Sequence, residues 1–441
     1  MTATDCILVP RWVIPVMPSG IVLNNHAVVI TNGSIIEVLP TAEALQKHRD
    51  LEVIERPDHA LLPGFINAHT HAAMTLLRGL ADDLPLQTWL EEHIWPAEGA
   101  WVSPDFVRDG TRLAIAEMLL GGTTCFNDMY FFPDVIAETA AETGIRCSAG
   151  LIVIDVPTPW AKDFEEYLTK GIEVHDRFKG HPLITTVFAP HSPYMVAPEH
   201  LERIATLTNE LDTKAQIHVA ETATEVEQSL EAHGKRPLEI ISEAKLLGAQ
   251  LQAVHMTQLT DDEITSLSAA AANVIHCPES NLKLASGQCR VTDLLAAGVN
   301  VAIGTDGAAS NNDLDMLGEL RSAALLAKGQ SGDAASLPAE QALYMATMGG
   351  AIALGIAETT GSIEPGKAAD MICIDLSAPA TQPVYNPVST IVYAASRDQV
   401  SDVWVAGVQL VKDRQLLSLD ADDAMAQAAA WHKRIAGAEQ E

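Results

Sequence analysis

Residues 61–71 read LLPGFINAHTH, a short apolar run that ends in two histidines, His69 and His71. An apolar run of this length predicts a buried β-strand. Side chains two positions apart in a strand point to the same face, so both imidazoles face one way. Two imidazoles on one face can bind one metal ion.

The same pattern, a short apolar strand followed by an amphipathic helical stretch, recurs through the middle of the chain. The eight strand candidates are LLPGFINAHTH (61–71), GTTCFNDM (122–129), IRCSAGLIVI (145–154), LITTVFAPHS (183–192), AQIHVAET (215–222), LQAVHMTQL (251–259), NVIHCPES (273–280) and NVAIGTDGA (300–308). Eight strands that alternate with helices predict a (β/α)₈ barrel. A doubly wound open sheet is the alternative, but the chain contains neither GxGxxG nor GxxxxGK[ST].

Both chain ends lack the alternation of strands and helices that is predicted for the middle of the chain. The first 60 residues read as short strands, with a hairpin signal at Asn32-Gly33, and short strands return in MICIDL, IVYAAS and VWVAGVQLV before a terminal helix. We therefore expect a small β-sandwich domain formed from both chain ends. The predicted division is residues 1–62 (small β domain, first part), 63–362 (metal-dependent barrel) and 363–441 (small β domain, second part, with the terminal helix).

The bulk composition is that of a globular protein. The chain has 441 residues, of which 48% are hydrophobic, and its formal net charge is -31. This acidity argues against nucleic acid and anionic membranes as partners, since both require basic patches. Six scattered cysteines form no CxxC pair, and no secretion signal or membrane span is evident. We therefore expect a cytoplasmic location, and a homo-oligomer (dimer or tetramer) is common for enzymes of this size.

Polar residues fall repeatedly at the predicted strand ends, where barrels carry their reactive groups. The fifth strand carries His218 and then Glu221, the sixth carries His255, and the eighth ends in Asp306. His69, His71, His218 and Asp306 together suit one zinc-class divalent ion, and Fe²⁺ fits the same ligands. His255 is a candidate catalytic group, with a metal ligand or a core histidine as alternatives.

These motifs resemble the amidohydrolase superfamily: PGFINAHTH its first strand, GTDG its eighth, and GSIEPGKAADMICIDL the return to its small β domain. The fourth-strand segment TTVFAPHSPY contains no Lys, which implies one metal, as in the deaminase branch of that superfamily. The resemblance implies attack of a metal-bound hydroxide on an amino-bearing ring carbon. Glu221 would transfer the proton to the ring nitrogen, His255 would hydrogen-bond the hydroxide, and Asp306 would accept a proton as ammonia leaves.

Three further stretches resemble the 5′-methylthioadenosine/S-adenosylhomocysteine deaminase family: residues 69–98, APHSPY and HCPESNLKLASG. The resemblance implies deamination of the adenine ring of these nucleosides, with adenosine as a further candidate. It also implies substrate contacts. Those are Glu98 to the ribose hydroxyls, His191 to the purine, Trp89 to the pocket wall, Ser310 to the substrate and Arg146 to the amino-acid tail of S-adenosylhomocysteine.

Two alternatives stay open at this point. The first is another enzyme of the superfamily that acts on a free base such as guanine or cytosine, or on a chlorotriazine. Glu98 favours a ribose-bearing substrate, because a free base or a triazine offers no vicinal diol. The second is a non-enzymatic member without metal ligands, which the complete ligand set and Glu221 disfavour.

Overall fold

The computed structural model describes residues 3–438 of the chain. The amino-terminal part contains a short helix, α1 (Thr41–Lys47), and five strands. These are β1 (Cys6–Val13), β2 (Leu23–Asn24), β3 (His26–Thr31), β4 (Ser34–Pro40) and β5 (Glu52–Pro63). The turn between β3 and β4 lies at Asn32-Gly33, as predicted, and both residues have positive φ, 51° and 77°. Asn and Gly tolerate this conformation, which two-residue hairpin turns require.

Eight parallel strands follow and form the barrel. They are β6 (Phe65–Thr70), β7 (Thr123–Asp128), β8 (Arg146–Val153), β9 (Ile184–Pro190), β10 (Lys214–Val219), β11 (Leu251–His255), β12 (Asn273–His276) and β13 (Asn300–Ile303). Each predicted strand is present, and the strands neighbour each other in sequence order. The predicted (β/α)₈ barrel is confirmed.

The first and last barrel strands meet and nearly close the sheet. The backbone N–H of Asp306, just after β13, donates a 3.0 Å hydrogen bond to the carbonyl oxygen of His69 in β6. Gly304 lies so close to His69 that an added Cβ would stand 2.6 Å from its backbone nitrogen. The absence of a side chain at Gly304 therefore allows the two metal-site strands to approach.

Helices connect the barrel strands and cover the outside of the barrel, as βαβ crossovers require. They are α2 (Leu86–Thr88), α3 (Trp95–Trp101), α4 (Pro104–Leu120), α5 (Pro133–Thr143), α6 (Phe164–Phe178), α7 (Pro198–Glu210), α8 (Ala223–His233), α9 (Pro237–Glu243), α10 (Asp261–Ala269), α11 (Pro278–Lys283), α12 (Val291–Ala296), α13 (Met316–Ser331), α14 (Ala339–Met345) and α15 (Met348–Leu354). A 3₁₀ helix spans Ala72–Leu77, and a π-helical turn spans Trp89–Ile94 between α2 and α3.

The carboxyl-terminal part returns to the amino-terminal strands. It contains β14 (Met371–Asp375), α16 (Pro387–Tyr393), β15 (Val400–Val405), β16 (Val408–Lys412), β17 (Gln415–Leu416) and α17 (Ala421–Ala438), with 3₁₀ turns at Pro379–Thr381 and Arg397–Gln399. Strand β14 pairs antiparallel with β5, which joins all nine end strands into one continuous mixed sheet. The predicted small β domain from both chain ends is thus present. The predicted strand IVYAAS (391–396) is wrong, because its first three residues end helix α16 and the others form no strand.

The two sheets are separated along the chain by one residue, Gly64, between β5 and β6. The three-part division at residues 62/63 and 362/363 remains our proposal for the domain boundaries. Within residues 3–438, no helix is both long enough and apolar enough to cross a membrane.

Candidate metal centre and active site

Four predicted ligands converge at the carboxyl ends of β6, β10 and β13. Nε2 of His69 lies 3.2 Å from Nε2 of His218 and 3.4 Å from Oδ1 of Asp306. Nε2 of His71 lies 3.2 Å from the same Asp306 oxygen. A tetrahedral site with metal–ligand bonds of about 2.0–2.1 Å has ligand atoms about 3.3–3.4 Å apart. These three distances are zinc-like, and His69 joins two overlapping groups of possible ligands, His69–His71–Asp306 and His69–His218–His255.

The orientation of the three imidazoles is fixed through their other ring nitrogens. Nδ1 of His69 donates to the side-chain oxygen of Gln216 at 2.6 Å, and Nδ1 of His218 donates to the backbone carbonyl of His191 at 2.8 Å. Nδ1 of His71 donates to the carbonyl of Met129. Each Nε2 then carries a lone pair, because a neutral imidazole has one donor and one acceptor nitrogen.

These lone pairs provide the test of whether a metal fits. The Nε2 atoms of His69 and His218 cannot hydrogen-bond to each other at 3.2 Å when both are acceptors. A cation between them removes the repulsion, and metal-bound histidines commonly donate their second N–H to an oxygen in this way. The donor set of three nitrogens and a carboxylate fits a zinc-class ion.

Asp306 is held in place by two hydroxyl groups. Ser280 and Ser310 donate to its Oδ2 at 2.6 and 2.9 Å, which leaves Oδ1 facing His69 and His71. Burial acts to raise the pKa of Asp306, but positive charge at His69 and His71 lowers it well below its ordinary value, and a cation bound between these ligands acts in the same direction. The carboxylate is therefore ionised, as a metal ligand must be. Its backbone has a positive φ of 63°, which is uncommon outside Gly but more frequent for Asp and Asn than for other residues.

Glu221 and His255 lie beside the four ligands. Oε2 of Glu221 is 3.7 Å from Nε2 of His255, and the Ser286 hydroxyl donates to Oε1 of Glu221 at 3.2 Å. Burial, with a contribution from the negative charge of Asp306, raises the pKa of Glu221 to about 8. Nδ1 of His255 lies 3.0 Å from the side-chain nitrogen of Asn281, so Nδ1 accepts and Nε2 carries the hydrogen.

A cavity of about 540 Å³ opens above these residues, a volume typical of small-molecule sites. Its walls are mainly apolar. The predicted residues that line it are His71, Trp89, Glu98, His191, His218, Glu221, His255, Asp306 and Ser310. The structure therefore brings four of the five predicted substrate residues into one cavity with the candidate metal centre.

Glu98 reaches the cavity from α3, which follows the π-helical turn that carries Trp89. The Tyr130 hydroxyl donates a 2.7 Å hydrogen bond to Oε1 of Glu98. Burial raises the pKa of Glu98 to about 7, against the lowering effect of this bond. Glu98 thus offers acceptor oxygens in an otherwise apolar wall.

The fifth predicted substrate residue, Arg146, requires a correction. Arg146 is the first residue of β8, so it lies at the amino ends of the barrel strands, opposite the metal centre. Its Nε and Nη2 donate to the buried carboxylate of Asp370 at 2.9 and 3.2 Å, and Nη1 donates to the carbonyl of Pro182. Arg146 does not line the cavity, so the predicted contact with the substrate tail is wrong.

Five residues that hydrogen-bond to candidate site residues were not predicted from the sequence. They are Gln216, Tyr130, Ser280, Asn281 and Ser286. Two of them carried a usable signal: Gln216 stands two residues before His218 on the same strand face, and Ser280 follows the seventh strand directly. The other contacts join distant segments and depend on the assembled barrel.

A barrel with three histidines and an aspartate at its strand ends, together with a buried Glu and His beside them, defines a metal-dependent hydrolase. The chain belongs to the amidohydrolase family, whose sequence model matches residues 60–410. This family membership makes the protein a metal-dependent hydrolase.

Curated relatives match nearly the whole chain. A 5-methylthioadenosine/S-adenosylhomocysteine deaminase of Teredinibacter turnerae is 48% identical over 434 residues, which cover 98% of each chain. A protein of the same name from Thermodesulfovibrio yellowstonii is 42% identical over 416 residues, which cover 94% of this chain and 95% of the relative. Together with the family match, these relatives make the protein a metal-dependent hydrolytic deaminase.

Solved structures agree with the fold. An adenosine deaminase from Xanthomonas campestris with bound zinc superposes with a TM-score of 0.96 at 50% identity, covering 98% of this chain and 99% of that one. An atrazine chlorohydrolase from Arthrobacter aurescens superposes with a TM-score of 0.91 at 23% identity, covering 97% and 100%. The second likeness shows a common fold alone.

Proposed function

We propose that this protein hydrolyses the exocyclic amino group of the adenine ring of 5′-methylthioadenosine, S-adenosylhomocysteine or adenosine. The products are the corresponding inosine analogue and ammonia. The observation that carries this proposal is the position of Glu98, because its carboxylate lines the same cavity as the metal-site residues. A carboxylate beside a purine site can accept hydrogen bonds from both hydroxyls of a ribose. The names of the relatives support the same substrate class.

We propose His69, His71, His218 and Asp306 as the ligands of one divalent ion. Zinc is our choice, since the Xanthomonas campestris deaminase was solved with zinc and the donor atoms suit it, with Fe²⁺ as the alternative. When bound, such an ion lowers the pKa of a water molecule to about 7 and so supplies hydroxide at neutral pH.

The remaining chemistry belongs to side chains. Glu221, with a pKa of about 8, carries a proton at neutral pH and can deliver it from Oε2 to the purine nitrogen next to the amino-bearing carbon. His255 donates its Nε2 hydrogen to the attacking oxygen, and Asn281 fixes that tautomer. Asp306 accepts the proton of the hydroxyl that has added to the ring carbon and passes it to the amino group, which leaves as ammonia while the carbon–oxygen bond becomes a carbonyl. The purine ring contacts His191, the ribose contacts Glu98, and Trp89 and Ser310 complete the pocket.

The absence of Arg146 from the cavity lining bears on which of the three nucleosides is preferred. All lining residues of the cavity fall within residues 3–438, and they include neither Lys nor Arg. The α-carboxylate of S-adenosylhomocysteine would therefore meet carboxyl groups in the cavity wall and no Lys or Arg side chain. Methylthioadenosine and adenosine bring no such charge, so we place both ahead of S-adenosylhomocysteine.

A substrate panel tests the proposal. Zinc-loaded protein is incubated separately with methylthioadenosine, S-adenosylhomocysteine, adenosine, guanine, cytosine and a chlorotriazine, and ultraviolet absorbance and ammonia are followed. We expect methylthioadenosine or adenosine to react fastest and Glu221→Gln to be inactive. Turnover of a free base or a triazine with inert nucleosides would leave the metal chemistry standing and refute the ribose contact of Glu98.

Two further proposals concern the protein as a whole. We propose a cytoplasmic location, which suits the six cysteines because all are buried and unpaired. We also propose a homo-oligomer, a dimer or tetramer, which sedimentation equilibrium of the full chain would test.

A further inference from the structure

Glu319, on helix α13, is a buried carboxyl group that the proposed chemistry does not use. Its exposed fraction is 0%, and no Lys, Arg or His in residues 3–438 forms an ion pair with it. Burial and the nearby Glu279 act to raise its pKa, but N–H donors face both of its oxygens, which suits the ionised form. A buried carboxyl group without a cation is costly and requires hydrogen-bond partners.

Its two oxygens bind two different loops at the active-site end of the barrel. Oε1 accepts a 2.5 Å hydrogen bond from the side-chain amide of Asn311, in the loop after β13. Oε2 accepts a 3.2 Å hydrogen bond from the backbone N–H of Glu279, at the start of α11. One side chain thus joins the loops that follow the seventh and eighth barrel strands.

Both loops hold groups of the metal centre. Asn311 uses its second amide hydrogen to bind the carbonyl of Thr305 at 2.7 Å, directly before Asp306. Helix α11 continues from Glu279 with Ser280, which donates to Asp306 at 2.6 Å. The next residue is Asn281, which lies 3.0 Å from Nδ1 of His255.

We propose that Glu319 is a positioning residue for the metal centre. It acts through Asn311 and α11 and sets the positions of Asp306 and His255 without contact to substrate. This inference rests on the proposed role of Asp306 as a metal ligand. Groups that orient metal ligands affect metal affinity by about 10–100-fold when they are removed.

Glu319→Gln keeps the size of the side chain and changes its hydrogen bonding. A glutamine has one acceptor oxygen, so one of the two N–H groups would face an NH₂ group instead. The matched control is Ser322→Ala, one turn away on the same helix. The Ser322 hydroxyl donates 2.6 Å to the side chain of Glu279, so it also links α13 to α11, but it contacts neither Asn311 nor the backbone N–H of Glu279.

The experiment measures zinc affinity by competition with a chromophoric chelator, without any nucleoside, together with circular dichroism and thermal unfolding. Steady-state kinetics with methylthioadenosine follow. We expect Glu319→Gln to fold, to bind zinc at least tenfold more weakly and to lose kcat at least tenfold, with KM within about twofold of wild type. Ser322→Ala should match wild type in zinc affinity.

Each other outcome is informative. A folded Glu319→Gln protein with wild-type zinc affinity overturns the proposal, and so does an equal loss in Ser322→Ala. If Glu319→Gln does not fold, Glu319→Asp, which keeps the carboxylate but shortens its reach to Asn311 and to the backbone of Glu279, decides by the same criterion. Wild-type protein that binds no zinc would instead refute the proposed metal centre, and zinc binding with inert nucleosides would refute only the proposed substrate.

Discussion

The hydroxyl of Tyr130 lies 2.7 Å from Oε1 of Glu98, and the carbonyl of the preceding residue, Met129, accepts the Nδ1 hydrogen of His71. Two consecutive residues after β7 therefore orient both a metal ligand and the carboxylate proposed to bind ribose. This arrangement links the candidate metal centre to the proposed site of sugar recognition.

Tyr130→Phe should weaken nucleoside binding while leaving the chemical step intact. Loss of a hydrogen bond to a carboxylate costs about 1.5 kcal/mol, so KM for methylthioadenosine should rise about tenfold with kcat within twofold. Steady-state kinetics check this. Tyr194→Phe is the control. Tyr194 also lines the cavity, but the tyrosine hydroxyl that donates to Glu98 is that of Tyr130. An equal rise in KM in both variants would contradict the specific role of Tyr130.

The pH dependence of KM should report on Glu98. Its pKa, raised by burial to about 7, means that the carboxyl group is protonated below pH 7 and ionised above it. The ionised form accepts hydrogen bonds from two ribose hydroxyls, so KM for methylthioadenosine should fall as pH rises from 6 to 8. In Glu98→Gln this fall should disappear. A pH-dependent KM that persists in the variant would assign the titration to another group.

Gln216 should control zinc affinity through His69. Gln216→Met removes the acceptor that fixes the His69 tautomer, and we expect zinc to bind about 10–100-fold more weakly. Gln252→Met is the matched control. Gln252 is fully buried on the adjacent strand and bonds to Asn127 and the carbonyl of Ala353, without contact to a ligand. It should lower the melting temperature without changing zinc affinity, and weaker zinc binding in both variants would point to general loosening of the barrel.

Arg146 should matter for stability rather than for substrate choice. Arg146→Met leaves Asp370 as a buried carboxylate without its cation, which typically costs roughly 3–5 kcal/mol of unfolding free energy. Urea denaturation measures this loss. The ratio of kcat/KM for S-adenosylhomocysteine to that for methylthioadenosine should stay unchanged in the folded variant. A selective drop with S-adenosylhomocysteine would restore the sequence-based assignment.

The sequence predicted the barrel and the convergence of the four candidate ligands because both follow from local patterns. His69, His71, His218 and Asp306 stand at the ends of apolar runs, and parallel strands bring such ends together. The Asn32-Gly33 turn was predictable for a similar local reason, since few residue pairs tolerate its positive φ angles.

The wrong prediction for Arg146 and the contacts that were not predicted have a physical explanation as well. Arg146 is the first residue of its strand, whereas His69, His218 and Asp306 lie at or just after the ends of theirs. Arg146 therefore lies at the opposite end of the barrel from the candidate metal centre. The bonds of Glu319 and Tyr130 join segments that are distant along the chain or lie in irregular loops, where periodicity carries no information. The roles of the individual site residues remain predictions, which the variants above address.

The most direct test of the central claim is the fate of methylthioadenosine in ¹⁸O-labelled water, followed by mass spectrometry with zinc-loaded wild-type protein. Hydrolytic deamination predicts one ammonia per turnover and a nucleoside product that carries one labelled oxygen in place of the amino group, with the bond to ribose intact. An unlabelled product, release of free adenine or complete inertness of the nucleoside would contradict this account.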